Sequence, residues 1–205
     1  MRIYFLIPLL FICSSSLFSA AGDMLYKFTP DLSDQSALQR GAETFVNYCL
    51  SCHSASYMRY NRMGEDLGIP DSVLLEKFMF GTDKVGDTME ISMTPEIGVQ
   101  YFGVAPPDLS VIARARGAEW LYNYLMTFYL DSSKPSGVNN LVFSDVAMPH
   151  VLWELQGWQQ PVYVKETGEG GLPIRMIERL ELVEEPVSKP DEYRDETYEQ
   201  TVSDL

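Results

Sequence analysis

The five residues CLSCH, Cys49 to His53, constrain this chain more than any other stretch of its sequence. The chain has three cysteines and two histidines in its 205 residues, and this stretch holds two of the cysteines and one histidine. Two cysteines three positions apart on a helical turn can form thioethers with the two vinyl groups of one porphyrin edge, and the histidine that follows then falls under the iron. The C-x-x-C-H pattern therefore predicts covalently attached haem.

Other interpretations of the two cysteines stay open at this point. A thioredoxin-like dithiol would need the motif at the start of a helix after a strand. Here the apolar spacing over residues 38–49 predicts a helix that precedes and delivers Cys49, with Ser33 as its cap. A structural zinc site would need further cysteine or histidine ligands, and the other histidine of the chain is His150. A chance arrangement is the third alternative.

A haem that transfers electrons needs a second axial ligand, and methionine opposite histidine raises the reduction potential. Met148 is the first candidate, because VAMPHVL places it in a proline-stiffened segment far enough downstream for the chain to wrap the haem. An ordinary core methionine is the alternative interpretation of Met148. His150 would give bis-histidine ligation instead, and Met89 and Met93 are weaker candidates.

The first residues, MRIYFLIPLLFICSSSLFSAAGD, have the pattern of a secretory signal peptide. A basic start precedes an apolar run over residues 3–12, which is too short to span a membrane, and small residues follow. We predict a signal peptide over residues 1–20 and one haem domain over residues 21–205. Cys13 as a lipoprotein cysteine is the less favoured alternative, because isoleucine precedes it where a small residue is needed.

The chain carries 15 basic and 29 acidic residues, which gives a formal net charge of −14. An acidic balance of this size disfavours nucleic acid as a partner. The excess is concentrated over residues 178–205, and it indicates either a solvated face or a surface that attracts a basic partner. The apolar fraction of 46% supports a packed domain.

Hydrophobic spacing predicts helices over residues 71–80 and 118–130. Residues 57–70 show no period, and residues 81–104 have the composition of a long functional loop. A glycine-rich turn at residues 168–171 lies between two alternating segments and predicts a small β-hairpin.

Several separated blocks resemble, in order, cytochrome c1, the c-type haem subunit of the proteobacterial ubiquinol–cytochrome c reductase (the bc1 complex). The blocks are RGAETFVNYCLSCHSASYMRY, KVGDTMEISMTPE, FGVAPPDLSVIARARG, AMPHVLWELQG and YEQTVSDL. The resemblance extends over nearly all of the chain after the signal peptide. The resemblance implies a mainly α fold: a class I cytochrome c-like haem domain with long loop insertions and a small β-hairpin.

The resemblance assigns the haem linkage and the iron ligands. Cys49 and Cys52 match the cysteines that bind the haem covalently, so one haem c is expected. His53 matches the proximal iron ligand and Met148 the distal one. The resemblance thus strengthens a choice of Met148 that the residues alone leave open.

Four more residues match the surroundings of the haem in this family. Arg116 matches an arginine that pairs with a haem propionate, an interaction that suits a planar guanidinium; an ordinary surface arginine is the alternative. Tyr122 matches a haem-pocket tyrosine, with helix core as the alternative. Pro106 and Pro107 match a pair of prolines that pack beside the ring.

The resemblance also implies function and location. It implies a non-catalytic electron carrier that takes one electron from the Rieske iron–sulfur protein and passes it to a cytochrome c. Cytochrome b and the Rieske protein are then the expected partners, and the haem domain is expected on the periplasmic side of the inner membrane. The sequence ends at Leu205 in the last predicted helix, so the C-terminal membrane anchor of the family is expected beyond this chain. A free periplasmic class I cytochrome c that serves another oxidase or dehydrogenase is the alternative function.

Overall fold

The structure is a computed structural model that describes residues 25–167, 173–187 and 197–205. The predicted signal peptide, Cys13 and the glycine-rich turn at residues 168–171 lie outside the described residues. The division into a signal peptide and one domain therefore stays a prediction. No helix within the described ranges is long and apolar enough to cross a membrane.

Helices and strands are interspersed along the chain. The helices are α1 (Gln35–Thr44), α2 (Tyr60–Leu67), α3 (Asp71–Val73), α4 (Pro95–Phe102), α5 (Ile112–Arg116), α6 (Ala118–Met126), α7 (Trp153–Gln156) and α8 (Tyr198–Asp204). Two π-helical turns, Phe45–Cys49 and Leu74–Phe78, continue α1 and α3. The strands are β1 (Ala55–Arg59), β2 (Thr88–Met89), β3 (Phe128–Leu130), β4 (Val138–Asn140), β5 (Trp158–Thr167) and β6 (Pro173–Glu184).

The strands form three antiparallel pairs, β1 with β2, β3 with β4, and β5 with β6. The predicted hairpin is confirmed as the pair β5 and β6, and its two strands have 10 and 12 residues. The fold is thus a mixture of helices and two-stranded sheets, with more strand than the mainly α prediction includes.

Helix α1 delivers the cysteine motif, as the sequence predicts. Its cap is Asp34, whose carboxylate accepts a hydrogen bond from the Ala37 amide at 3.0 Å. The prediction of Ser33 as the cap was wrong, because Ser33 donates its amide and its hydroxyl to Asp31 instead. A π-helical turn then continues the helix to Cys49.

Helices α1 and α8 cross at Gly41. A Cβ atom at Gly41 would come within 1.8 Å of the Asp204 backbone oxygen, so only glycine allows the two helices to approach this closely. Beside it, Arg40 donates from Nε to Oδ2 of the buried Asp204 at 2.7 Å. The crossing therefore holds the helix that carries Cys49 against the C-terminal helix.

Two stretches contain more regular structure than predicted. Residues 57–70 hold part of β1 and all of α2, and residues 81–104 hold β2 and α4. These elements have at most eight residues, too few for a hydrophobic period to stand out. The helix predicted over 118–130 ends at Met126, and Phe128–Leu130 pairs with β4 instead. Aromatic residues suit a strand as well as a helix, so tertiary pairing decided the outcome.

Among the residues that the structure describes, buried apolar side chains form three clusters. The largest lies around α2 and α3 and includes Leu74, Phe78 and Met89. A second joins α6, α7 and α8 through Met126, Leu152 and Val202. The third surrounds Phe128 in β3, and the partly buried Met148 packs against it.

Candidate functional site

An open cleft lies where α1 meets the segments around Pro106 and Met148. The lining residues are Tyr48, Cys49, Cys52, His53, Phe102, Val104, Pro106, Pro107, Met148, Pro149 and Val151. The cleft thus brings together six of the eight residues that the sequence predicts for the site, and its wall is otherwise mostly apolar.

Cys49 and Cys52 are free thiols on one side of this cleft, and both are half-buried. The amides of Cys52 and His53 donate to the Cys49 carbonyl at 3.1 and 2.9 Å, and this tight turn brings both cysteines to the cleft lining. Burial, with a smaller contribution from Cys52, raises the pKa of Cys49 to about 12. A thiol oxidoreductase needs a thiolate near neutral pH, so this environment disfavours the dithiol interpretation.

His53 is held through one of its ring nitrogens. Its Nδ1 lies 2.7 Å from the Pro107 carbonyl oxygen. A carbonyl can only accept, so Nδ1 carries a hydrogen and Nε2 is the ring nitrogen left to bind a metal. A histidine that ligates a metal commonly has this second-nitrogen contact, which orients the ring. Pro107 therefore contributes a backbone acceptor, which the sequence did not indicate.

Met148 lines the cleft together with His53. Its sulfur accepts a hydrogen bond from the Tyr124 hydroxyl at 3.3 Å. Burial raises the pKa of Tyr124 to about 12, so this hydroxyl keeps its proton at neutral pH. The Tyr124 ring also stacks on Trp120 with centroids 5.0 Å apart, which fixes the direction of the donor.

Tyr122, the tyrosine predicted for the site, does not line the cleft. Its ring stacks on Phe28 with centroids 4.4 Å apart, and it packs against the cluster that joins α6, α7 and α8. Tyr122 and Tyr124 are two positions apart on α6, so their side chains leave the helix about 200° apart. The role of Tyr122 beside the haem stays a prediction.

Arg116 is exposed and lies outside the cleft lining. Its guanidinium carbon is 4.9 Å from the centroid of the Trp120 ring and 5.9 Å from that of Phe143. Trp120 stacks on Tyr124, so two ring contacts and one hydrogen bond connect Arg116 to Met148. Pairing with a haem propionate stays a prediction for Arg116.

The other candidate iron ligands lie elsewhere. His150 is 5% exposed and stacks on Phe128 with centroids 5.0 Å apart. Burial lowers the pKa of His150 to about 4, so it is neutral at physiological pH. Met89 is buried in the cluster around α2 and α3, and Met93 does not line the cleft. Met148 is thus the candidate that shares the cleft with His53.

Sequence reasoning missed several cleft residues. Tyr48 could have been found, because it precedes Cys49 on the same helical turn. Phe102 and Val104 lie at the end of α4 and just after it, in a stretch predicted to be an irregular loop. Tyr124 gave no signal, because a single sequence does not tell which side of α6 faces the methionine.

The donor set fits a haem of the c type. Cys49 and Cys52 are unpaired thiols on one wall, His53 has a free Nε2, and Met148 supplies a thioether in the same apolar cleft. These features, together with a helix whose last residue is the first cysteine of C-x-x-C-H, are those of a c-type cytochrome.

Comparison with known proteins identifies the family within the c-type cytochromes to which the chain belongs. The chain is 47% identical over 177 residues to cytochrome c1 of Allochromatium vinosum, a match that covers 86% of this chain and 72% of that relative. It is also 47% identical over 175 residues to the ammonia monooxygenase gamma subunit of Nitrosomonas europaea, covering 85% of this chain and 67% of that relative. Cytochrome b/c1 of Bradyrhizobium diazoefficiens is 31% identical over 122 residues, which are 47% of this chain and 17% of that relative. No family model matches the chain.

The chain belongs to the cytochrome c1 family, and the resemblance seen in its motifs is confirmed. It is an electron-transfer protein of that family. Family membership implies covalent haem c, with which Cys49 and Cys52 are consistent.

Proposed function

We propose that this protein is the haem-c subunit of a quinol–cytochrome c reductase and carries single electrons from a Rieske iron–sulfur protein to a cytochrome c. The observation that carries the proposal is the shared cleft of His53 and Met148 beside two free thiols. Family membership supports the complex, and one relative is named cytochrome b/c1. Cytochrome b and the Rieske protein are the proposed partners within it.

The residues of the cleft have separate roles in this proposal. Cys49 and Cys52 would hold haem c through thioethers, and Nε2 of His53 and the sulfur of Met148 would bind its iron. Haem c, when bound, supplies a reversible one-electron change between ferric and ferrous iron. The apolar walls exclude water from the cleft, which helps to set the reduction potential.

The protein groups behind the ligands keep them in place. The Pro107 carbonyl holds the His53 ring through Nδ1, and the Tyr124 hydroxyl holds the Met148 sulfur. We assign the propionate contact to Arg116, whose exposed guanidinium lies on an aromatic group that reaches the cleft. Pro106 lines the wall beside Pro107.

The location in the cell follows from the same proposal. We propose that residues 1–20 direct export and that the haem domain, residues 21–205, faces the periplasm at the inner membrane. The net charge of −14 supports docking of a basic cytochrome c.

The test of this function is purification of the protein from its native membranes with a mild detergent. Quinol-dependent reduction of added cytochrome c and the presence of cytochrome b and a Rieske protein are expected in the purified fraction. A haem-containing protein that purifies alone and reduces no cytochrome c with quinol would contradict the proposal and favour a free periplasmic carrier.

Electron transfer in ammonia oxidation is a second candidate function. The observation that favours it is the 47% identity to a protein named ammonia monooxygenase gamma subunit. Deletion of the gene separates the two functions. Loss of quinol–cytochrome c reductase activity with retained ammonia oxidation supports the first, and the reverse result supports the second.

A further inference from the structure

The segment after the cysteine motif is tied to the loop that carries Pro107. The amide and the hydroxyl of Ser56 both donate to Oδ2 of Asp108, at 2.9 and 2.8 Å. The other carboxylate oxygen, Oδ1, accepts from the Ser110 amide at 2.8 Å. Asp108 therefore joins two segments that are 52 residues apart in the chain.

Two more hydrogen bonds link the same segments. The Leu109 amide donates to the Ser54 carbonyl at 2.8 Å, and the Tyr57 amide donates to Oγ of Ser110 at 3.1 Å. Pro107 has no amide hydrogen with which to fix its own position. The direction of its carbonyl, which accepts from His53, therefore depends on the residues next to it, of which Asp108 is the first.

The carboxylate of Asp108 is a strong acceptor. Desolvation of the carboxylate by its neighbours acts to raise the pKa of the exposed Asp108, but the hydrogen bonds from Ser110 and Ser56 outweigh it and hold the pKa well below its usual range. An ionised acceptor makes hydrogen bonds roughly twice as strong as a neutral one. Replacement by a neutral amide should therefore loosen the link.

Asp31 offers a comparison within the same chain. It also accepts from the amide and the hydroxyl of a serine, in this case Ser33, two positions away. Those bonds stay within one exposed turn. Asp108 also accepts from a serine two positions away, Ser110, but in addition it accepts from Ser56 in a distant segment. A local turn does not require that second contact.

We propose that Asp108 is a positioning residue for the proximal iron ligand: it clamps Ser56 to the Pro107 loop and so holds the Pro107 carbonyl against Nδ1 of His53. This inference rests on the proposed function, since it requires His53 to ligate haem iron. A firm hydrogen bond at Nδ1 makes the ligating imidazole more basic, which favours ferric iron. A looser bond should favour ferrous iron and raise the reduction potential.

The test compares Asp108→Asn and Ser56→Ala with the matched control Asp31→Asn, all as haem-loaded protein. Two quantities are measured: the reduction potential, and the exchange rate of the Nδ1 proton of His53 with solvent by nuclear magnetic resonance. We expect Asp108→Asn to exchange this proton about tenfold faster, as loss of a charge-assisted bond predicts, and to have a higher potential. Ser56→Ala should shift both quantities in the same direction by less, and Asp31→Asn should shift neither.

The outcomes separate positioning from other effects. Unchanged potential and exchange in haem-loaded Asp108→Asn and Ser56→Ala would overturn the inference. A raised potential with unchanged exchange would also overturn it, because loss of charge alone produces that result. If Asp108→Asn does not fold, the potential and the exchange rate of Ser56→Ala decide whether the inference holds, since this variant removes one hydrogen bond and no charge. Absence of covalent haem from the unaltered protein would instead contradict the proposed function.

Discussion

The hydroxyl of Tyr124 donates a hydrogen bond to the sulfur of Met148 across 3.3 Å, from a ring stacked on Trp120. A donor at the sulfur withdraws electron density from the ligand, which weakens its bond to ferric iron more than to ferrous iron. The aromatic face of α6 thus reaches the proposed iron ligand through one hydrogen bond, and the effect of that bond on the reduction potential can be measured.

Tyr124→Phe removes this hydroxyl and keeps the ring. We expect the reduction potential to fall by about 40 mV, which corresponds to about 1 kcal/mol of hydrogen-bond energy for one electron. Tyr122→Phe is the matched control, because Tyr122 stacks on Phe28 outside the cleft lining. A shift from Tyr122→Phe with none from Tyr124→Phe would instead support the role that the family resemblance implies for Tyr122.

Arg116→Gln tests the proposed contact with a haem propionate. Loss of a positive charge near the haem should favour ferric iron and lower the reduction potential. Arg114→Gln is the control, since Arg114 is an exposed arginine on the same helix, α5. The potential of each variant is measured by redox titration. Equal shifts in the two variants would show a general charge effect and no specific contact of Arg116.

Gly41→Ala should destabilise the fold through the crossing of α1 and α8. The new Cβ would meet the Asp204 backbone oxygen at 1.8 Å, so the two helices must move apart. We expect a loss of about 1–3 kcal/mol in the free energy of unfolding, measured with denaturant. Gly86→Ala has open space at its Cβ position and should stay within about 0.5 kcal/mol of the unaltered protein. Equal stability of the two variants would contradict the close crossing.

The burial of His150 predicts that the folded protein loses stability in acid. Its pKa is lowered from 6.5 to about 4 in the folded protein, because burial disfavours the imidazolium. Below pH 6.5 the unfolded chain therefore binds a proton that the folded protein does not, and the free energy of unfolding falls until about pH 4. The full effect is roughly 3 kcal/mol.

The variant His150→Phe isolates this contribution, because phenylalanine can keep the stacking on Phe128 without a titratable group. Denaturant unfolding between pH 7 and 4 should show a shallower loss of stability for the variant than for the unaltered protein. Parallel curves for the two proteins would show that His150 does not titrate as its burial implies.

The cleft residues that are easiest to identify from the sequence belong to one local motif. The thioether linkage requires two cysteines and a histidine at one local spacing, so Cys49, Cys52 and His53 are visible without a structure. Met148 is visible because a proline follows it and because the family blocks include it. Helix α1 could be predicted from its spacing, although its cap, Asp34, could not be told from the neighbouring Ser33.

The features of the site and the fold that the sequence did not predict depend on contacts between distant segments. The Pro107 carbonyl reaches His53 across 54 positions, and a backbone acceptor leaves no mark in residue types. The choice between Tyr122 and Tyr124 depends on the rotation of α6 about its axis, which packing decides. Residues 128–130, which were predicted to be helical, form a strand because they pair with β4.

The most direct test of the central claim is the absorption spectrum of Met148→Ala beside that of Met93→Ala. Both variants should carry covalent haem on a denaturing gel, because neither change touches the two cysteines. We expect Met148→Ala to lose the low-spin spectrum of methionine-ligated iron and Met93→Ala to keep it. A methionine-ligated spectrum that survives in Met148→Ala would contradict the assignment of Met148 as an iron ligand.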